Sequence, residues 1–416
     1  MSGPAATLAH DLTDRGPYRL MGGAVRVLHT SDWHLGRTLH GVDLHDHQAA
    51  HVDHLVETVR DRGVDLVVVA GDVHDRAVPP VPSVRLLGEA LRRLAEHAVV
   101  VVTPGNHDSA VRLGFAAELL RDGVHVLASV ERLATPVVVA DADGPVAVYG
   151  LPWLDPDTAR HVLAPPAADG GTALPLARSH EAVLGAAMQR VRADLATRPG
   201  TRAVVVAHAF VAGGTASDSE RDIRVGGVDV VPASVFDGVD YVALGHLHGA
   251  QRVGAVGARP VVRYSGSPLA FSFGERRQAK SSTLVDLAAD GTVSVELVPA
   301  PVPRRLAEVV GPLDELLDGR HDALADAWLR VVVTDPVHPE QLFARVRERF
   351  PHALVVQHVP EGAVDAPALR QVTAETDPVE VAADFVAFAS GGPADDDELE
   401  VLRSAYEAAR GAEASA

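Results

Sequence analysis

The chain has 416 residues, 47% of them hydrophobic, and a formal net charge of −19. This length is enough for two or three domains with a large core, while the acidic balance argues against a protein that holds DNA by bulk electrostatics. The absence of cysteine excludes disulfides, zinc-thiolate sites and cysteine nucleophiles, and it fits a cytoplasmic protein. No apolar run reaches about 18 residues and the first 24 residues lack a signal-peptide pattern, so we expect no membrane span.

The first part of the chain alternates strand-like and helix-like segments. These runs are, in chain order, Val25–His29, Asp46–Arg62, Val64–Ala70, Ser83–His97 and Ala98–Val102. The alternation predicts βαβ units, a largely parallel sheet and an α/β fold. We expect Ser83 to be the N-cap of the second helix, because serine accepts hydrogen bonds from the first helical N–H groups.

The later chain divides into smaller pieces. Residues 135–150 predict two short strands joined by a turn at Asp141–Gly144. Short strands dominate from 203 to 298, and the alternating prolines of Pro299–Pro303 predict a boundary because they block helix and sheet. Residues 328–358 then indicate a strand, a helix and a strand, and two helix-like stretches begin near Asp377 and Asp395. We therefore predict an N-terminal extension (1–24), a large domain (25–299), a small α/β domain (300–372) and a helical tail (373–416).

Five strand-like runs end in residues that commonly bind metals. The candidate ligands that follow these runs are Asp32, His34, Asp72, Asn106, His208, His246 and His248. Because ligands gather outside the carboxyl ends of strands in an open α/β sheet, we expect all seven side chains to converge.

The chemistry of these side chains indicates a binuclear metal site. Carboxylate, amide and imidazole ligands without a thiolate suit a cation such as Mn²⁺. Seven ligands are too many for one four-coordinate ion and fit two ions that share a bridging carboxylate, which we predict to be Asp72. Two ions roughly 3.5–4 Å apart can clamp the attacking and leaving oxygens of a phosphoryl transfer. His107 adjoins Asn106 and is placed to contact a non-bridging oxygen or protonate the leaving group.

Each of these motifs taken alone is weak. An isolated Asp-x-His pair is most often a solvated carboxylate beside a partly buried histidine, and only the occurrence of five motifs in order outweighs that interpretation. His47, His51 and His54 also share one helical face, where we expect a polar surface stripe rather than a metal site. Phe271 and Phe273 are expected to be packing residues.

These motifs resemble those of calcineurin-like metallophosphoesterases, and more closely those of the SbcD family, the nuclease subunits of bacterial SbcCD complexes. The motifs that carry the resemblance are Ser31–Gly36, Ala70–Val73, Pro104–Asp108, His208–Gly214 followed by Ser217–Gly227, Gly245–His248 and Tyr264–Leu269. The similarity is strong over residues 25–275 and weaker beyond them. His74 departs from the family pattern, which more usually has an aromatic residue there.

The resemblance implies a metallophosphoesterase β-sandwich flanked by helices, followed by a capping domain and a helical C-terminal tail. It implies a first metal held by Asp32, His34, Asp72 and His248, and a second held by Asp72, Asn106, His208 and His246. It gives His107 the role of the catalytic histidine, and it gives Asp75 the role of pairing with His107 and orienting it.

The implied activity is that of a Mn²⁺-dependent DNA nuclease, a double-strand 3′–5′ exonuclease and single-strand or hairpin endonuclease acting in DNA repair and recombination. The implied partners are DNA and an SbcC-like ATPase of the structural-maintenance (SMC) type, in a heterotetramer that contains a homodimer of this chain. We predict that the tail binds a helix of that ATPase through Phe385 and Leu402. Such a partner could supply much of the DNA affinity that the acidic chain lacks.

Two other functions stay open at this point. One is a phosphatase or small-molecule phosphodiesterase of the same superfamily, although a small substrate does not need the additional region 300–416. The other is a non-enzymatic scaffold with the same fold, although a scaffold is free to lose the ligands that this chain keeps.

Overall fold

The computed structural model describes residues 18–19, 24–115, 117–120, 123–166, 173–217, 220, 230–361, 377–390 and 394–413. The strands are β1 (Tyr18–Arg19), β2 (Val25–Thr30), β3 (Thr38–Leu39), β4 (Val42–Asp43), β5 (Leu66–Ala70), β6 (Val99–Thr103), β7 (Val124–Val126), β8 (Val137–Asp141), β9 (Gly144–Leu151), β10 (Arg202–His208), β11 (Tyr241–Gly245), β12 (Gln251–Val253), β13 (Val261–Tyr264), β14 (Ser281–Leu287), β15 (Val293–Pro299), β16 (Leu306–Gly311), β17 (Trp328–Val333) and β18 (Ala353–His358). The α-helices are α1 (His45–Arg62), α2 (Val81–Leu94), α3 (Ala110–Leu113), α4 (Pro156–Val162), α5 (His180–Leu195), α6 (Leu313–Leu317), α7 (Leu342–Arg349), α8 (Pro378–Ser390) and α9 (Asp396–Glu413).

Two large sheets contain most of these strands. One has the order β15-β14-β2-β5-β6-β7 and is parallel from β2 to β7. The other has the order β1-β8-β9-β10-β11-β13-β12 and is parallel across β9, β10, β11 and β13. The predicted hairpin at Asp141–Gly144 joins the antiparallel strands β8 and β9, as expected. The five strands that precede the candidate ligands are thus divided between two sheets.

The two sheets pack face to face through an apolar layer. Along β5, Leu66, Val68 and Ala70 face this layer, while Val67 and Val69 belong to the apolar cluster on the opposite face. This alternation follows the two-residue period of a strand, and β5 is apolar throughout because both of its faces are covered. Each valine or leucine buried in this way stabilises the fold by roughly 1.5–3 kcal/mol.

Helices cover the outer faces of both sheets. Val52 and Leu55 of α1 and Leu87 of α2 pack against the sheet that contains β5, while Ala159 of α4 and Val183 of α5 pack against the sheet that contains β10. The predicted β-sandwich flanked by helices is confirmed. No described helix is both long and apolar enough to cross a membrane.

The described chain forms two compact units. The larger comprises Met1–Glu308, Leu324–Arg330 and His352–Val355, and the smaller comprises Val309–Ala323, Val331–Pro351 and Val356–Ala416. The strand, helix and strand expected at 328–358 are present as β17, α7 and β18, and β17 is the central strand of the sheet β16-β17-β18. The two expected tail helices are α8 and α9, which pack against each other. The boundaries of the four predicted domains stay predictions, and most of the extension 1–24 lies outside the described residues.

Two local predictions were wrong. Helix α2 begins at Val81 after Pro80 rather than after Ser83, because Pro82 fits the first helical turn, where its missing N–H costs no hydrogen bond. His51 is not a surface residue: its side chain is 2% exposed and meets Trp33 edge-on, with ring centroids 6.2 Å apart. Burial lowers the pKa of His51 to about 3, so its ring is neutral.

Candidate metal centre

The carboxyl ends of β2, β5 and β6 meet those of β10 and β11 at one edge of the sandwich. Three glycines permit this approach: a Cβ atom at Gly71 would overlap His208 Nδ1, one at Gly105 would overlap Asp72, and one at Gly245 would overlap the carbonyl oxygen of Ala70. The convergence predicted for one sheet therefore occurs between two sheets, and it requires residues without side chains where the strands end.

The turns that follow these strands have unusual backbone geometry. Positive φ angles occur at Asp32 (53°), His34 (43°), Asp72 (48°) and His246 (109°). Such angles cost about 1–3 kcal/mol each in non-glycine residues and cluster at functional sites. Backbone hydrogen bonds hold the first two turns together, from Asp32 N to Gly71 O and from His34 N to Asp72 O, both 3.0 Å.

Gln48 of helix α1 stabilises the turn that follows β2. Its Nε2 donates to the carbonyl oxygen of His34 at 2.8 Å, and its Oε1 accepts from the backbone N–H of Gly36 at 3.1 Å. Gln48 is 2% exposed. A buried amide with both ends bonded fixes the turn without adding charge.

Within the described residues, three groups of acidic and histidine side chains are close enough to share a metal ion. They are Asp32, His34 and His248; His34, Asp72 and His107; and Asp32, Asp72 and His208. The ligand atoms of each group lie within 4.8 Å of one another, and every member is buried. The groups share members, so they form one continuous centre.

The two remaining candidate ligands adjoin the same centre through His208. Asn106 Oδ1 lies 2.9 Å from His208 Nε2. The His246 ring is 5.4 Å from the His208 ring, centroid to centroid, and the His246 backbone N–H donates to Asp32 Oδ1 at 3.0 Å. The structure thus brings all seven candidate ligands to one place, whereas their assignment to a first and a second ion stays a prediction.

The hydrogen bonds of the histidines fit a metal site. His208 Nδ1 is 3.0 Å from the carbonyl oxygen of Ala70, and His248 Nδ1 is 3.2 Å from Glu275 Oε1. At His248 this acceptor places the hydrogen on Nδ1 and leaves a lone pair on Nε2, as in most histidine metal ligands. His208 Nε2 faces Asn106 Oδ1 at 2.9 Å and Asp72 Oδ2 at 3.4 Å, so it would release a proton on binding a cation. The Nε2 atoms of His34 and His248 lie only 3.2 Å apart, an arrangement that favours a cation as their shared partner.

The electrostatics of the centre favour neutral imidazoles at His34 and His246 and a protonated imidazole at His208. Burial lowers the pKa of His34 and of His246 to about 3 and raises that of Asp32 to about 6. Burial would also raise the pKa of Asp72, but neighbouring histidines, chiefly His208, outweigh it and hold that pKa well below its ordinary value. Burial opposes the charge of His208, yet Asp72 raises its pKa to about 9.

His107 lies at the edge of this centre. Its Nδ1 is 2.7 Å from the carbonyl oxygen of Asp75, and its backbone N–H donates to Asp72 Oδ1 at 2.8 Å. A carbonyl can only accept, so Nδ1 carries a hydrogen and Nε2 is left on the side of Asp72, 3.9 Å from Oδ2. The Asp75 carboxylate lies 3.5 Å from His34 Nδ1 and 3.7 Å from Arg37 Nη1. Asp75 thus contacts His107 through its backbone carbonyl, and its role of pairing with His107 and orienting it stays a prediction.

Sequence reasoning missed residues that lie behind the ligands. Glu275, Lys280 and Gln48 are all buried and contact ligand residues. The available signal was that Lys280 is the single lysine of the chain. Phe271 packs edge-on against the rings of His34 and His248, in agreement with its expected packing role.

The predicted partner-binding residues belong to the smaller unit. Phe385 on α8 is 67% exposed, and Leu402 on α9 is half-buried. Their predicted contact with another protein stays a prediction.

Comparisons with known proteins agree with this geometry. Residues 25–250 match the family described as Calcineurin-like phosphoesterase, and residues 302–389 match the Type 5 capsule protein repressor C-terminal domain, SbcD_C. The SbcD subunit of the nuclease SbcCD from Bacillus subtilis is 35% identical over 352 residues, which cover 80% of this chain and 86% of that protein.

Solved structures are more distantly similar. TT1561 of Thermus thermophilus has a TM-score of 0.38 and 16% identity over 66% of this chain and 99% of its own. GAP50 of Plasmodium has a TM-score of 0.37 and 10% identity over 67% of this chain and 86% of its own. The sequence matches, rather than these structures, assign the chain. It belongs to the calcineurin-like phosphoesterases and, among them, to the SbcD family of SbcCD nuclease subunits, and it is therefore a metal-dependent phosphodiesterase of the nuclease class.

Proposed function

We propose that this chain is a Mn²⁺-dependent DNA nuclease with double-strand 3′–5′ exonuclease and single-strand or hairpin endonuclease activity, working with an SMC-type ATPase in DNA repair and recombination. The observation that carries the proposal is the buried set of carboxylate, imidazole and amide groups at the sandwich edge. This donor set contains no thiolate and suits Mn²⁺.

The ligands divide into two sets in this proposal. Asp32, His34, Asp72 and His248 would hold one ion, and Asp72, Asn106, His208 and His246 would hold the other. Bound divalent cations would polarise the phosphodiester and supply hydroxide at neutral pH.

His107 serves as the general acid in this proposal. Its Nδ1–H is engaged by the Asp75 carbonyl oxygen, so the ring is held with Nε2 towards Asp72. When the P–O bond breaks, a protonated Nε2 gives its hydrogen to the leaving oxygen. Water adds to phosphorus and an alcohol departs, so the reaction is hydrolysis.

The acidic charge of the chain supports the proposal that it binds DNA together with an ATPase. A net charge of −19 repels phosphates, so DNA affinity must come from local arginines, bound cations or a partner. The exposed apolar side chain of Phe385 on α8 supports a partner helix there. The matched C-terminal region supports a macromolecular substrate over a small phosphate ester.

A substrate comparison tests this function. The full chain is assayed in Mn²⁺ with 3′-labelled and 5′-labelled duplex DNA, hairpin DNA and an aryl phosphate, with and without the co-expressed ATPase and ATP. We expect nucleotides to be released from 3′ ends and hairpins to be opened. A higher kcat/KM for the aryl phosphate than for DNA would instead identify a phosphatase.

We also propose that a second copy of this chain binds at an exposed apolar surface formed by residues 78–84 and 111–115. Val81, Val111 and Phe115 are 64%, 85% and 81% exposed. The two segments are adjacent, since Arg112 donates to the carbonyl oxygen of Ala77 at 3.3 Å. Residues 76–88 and 109–117 contain no carboxylate, so this surface avoids the repulsion between acidic copies. Phe115→Asp should shift the sedimentation coefficient from dimer to monomer, and an unchanged coefficient would disprove this contact.

A further inference from the structure

A buried ion pair lies directly behind His248 in the larger unit. Glu275 is 1% exposed and Lys280 is 6% exposed, and Lys280 Nζ contacts Glu275 Oε2. Burying two charges costs as much free energy as their attraction returns in many proteins, so such a pair is weak evidence for a stabilising role. We therefore infer the role of this ion pair from the contacts that Glu275 and Lys280 make.

Glu275 holds the imidazole ring of His248. Its Oε1 lies 3.2 Å from His248 Nδ1 and accepts from the backbone N–H of Phe271 at 3.1 Å. Because a carboxylate can only accept, this contact places the hydrogen on Nδ1 and leaves the Nε2 lone pair towards Asp32 and His34. Phe271 in turn packs against both histidine rings.

Lys280 holds the same histidine through its main chain. Its Nζ donates to the carbonyl oxygen of His248 at 3.0 Å, to Ser267 Oγ at 2.9 Å and to Gln278 Oε1 at 2.8 Å. Together the two charged residues fix both the ring and the backbone of one ligand. The acceptors surround a single point, which suits a compact ammonium and not the planar fork of an arginine.

The amino-acid composition of the chain also indicates that this position requires a lysine. The chain has 37 basic residues, and Lys280 is the single lysine among them. A general preference for arginine would have placed arginine here too. The geometry of this position explains the exception.

From these contacts we propose that Glu275 and Lys280 are positioning residues that fix the tautomer and orientation of His248, and thereby set the affinity for the metal ion that His248 binds. The inference rests on the proposed binuclear centre and names residues beyond its ligands. His34 has a comparable arrangement, since the Asp75 carboxylate lies behind its Nδ1. Losing a partner behind a histidine ligand typically lowers metal affinity about 10–100-fold.

The test uses the double variant Glu275→Gln/Lys280→Met, which removes both charges and leaves neither buried alone. The matched control is Asp141→Asn/Arg202→Met, because Arg202 and Asp141 form another buried ion pair, at the amino end of β10. Each full-length protein is stripped with EDTA and titrated with Mn²⁺, and free Mn²⁺ is followed by electron paramagnetic resonance. We expect one Mn²⁺ affinity to fall about 10–100-fold in the double variant and both to be retained in the control.

The single variant Glu275→Gln separates positioning from stability. It leaves the Lys280 charge buried without a carboxylate, so it should unfold at a lower temperature, and the double variant should recover this loss. Under the positioning role Mn²⁺ affinity does not recover with stability, whereas under a purely structural role it does.

The remaining outcomes are distinct. Wild-type affinity for both ions in the double variant overturns the positioning role, and DNA cleavage by the wild-type protein then leaves the proposed function standing. A wild-type chain that binds no Mn²⁺ overturns both.

Discussion

The metal centre and the C-terminal helices depart from the usual distribution of polar and apolar groups in opposite directions. At the centre, Asp32, His34 and Asp72 are 0%, 1% and 2% exposed, although buried polar groups cost free energy unless they are bonded. On the helices, Phe385 and Val401 are both 67% exposed, although such side chains are usually buried in part. The centre is where we expect cations, and the helices are where we expect a partner. Buried polar side chains and exposed apolar side chains can therefore both mark a binding site.

The largest expected effect is that of His107→Ala. Cleavage of duplex DNA should fall about 10²–10⁴-fold because the proposed proton donor is lost, while two metal ions stay bound because His107 is outside the proposed ligand sets. Single-turnover cleavage and elemental analysis of the same preparation measure the two quantities. His97→Ala, which removes an exposed histidine after α2, is the matched control and should change neither. A full cleavage rate in His107→Ala would remove the general-acid assignment.

Asp72→Asn should have the next largest effect, a loss of Mn²⁺ affinity. Asp72 belongs to two of the three buried groups, and we propose that it bridges both ions. The substitution keeps the shape of the side chain but removes its charge, so both Mn²⁺ affinities should fall together. The loss should exceed the factor of about 10–100 that is typical when a residue that supports a ligand is removed. Titration calorimetry resolves the two sites. Loss of one affinity alone would contradict the bridge.

The sequence predicted the metal ligands better than it predicted the residues that hold those ligands in place. Asp32 and His34 follow an apolar run and are two residues apart, so local spacing alone places them at a strand end. This strand end meets the ends of β10 and β11, which belong to a second sheet. That meeting depends on long-range packing, which local residue spacing does not encode. Glu275 and Lys280 act through contacts with His248, far away in the sequence, and no local pattern distinguishes them from a surface pair.

The closeness of the two sheets can be tested with a pair of glycines. Gly245→Ala would place a Cβ atom against the carbonyl oxygen of Ala70, and overpacking of this kind destabilises a protein by about 1–3 kcal/mol. Gly185→Ala lies in helix α5 with open space around it, so it should stabilise the fold by about 0.5–1 kcal/mol. Urea unfolding measures both changes. Equal stability of Gly245→Ala and the wild type would show that the centre does not need this close approach.

The smallest expected effect concerns the tail and leaves the metal centre unchanged. Phe385 is far more exposed than Leu402, so we expect Phe385 to provide more of the contact with a partner helix. Phe385→Ala should weaken binding to the ATPase by about 2 kcal/mol, which is roughly 30-fold, without changing Mn²⁺ affinity. Glu400→Gln, on the exposed part of α9, should bind as the wild type does. If a chain ending at Thr376 still co-purifies with the ATPase, the partner binds elsewhere, and exposed apolar side chains on these helices need another explanation.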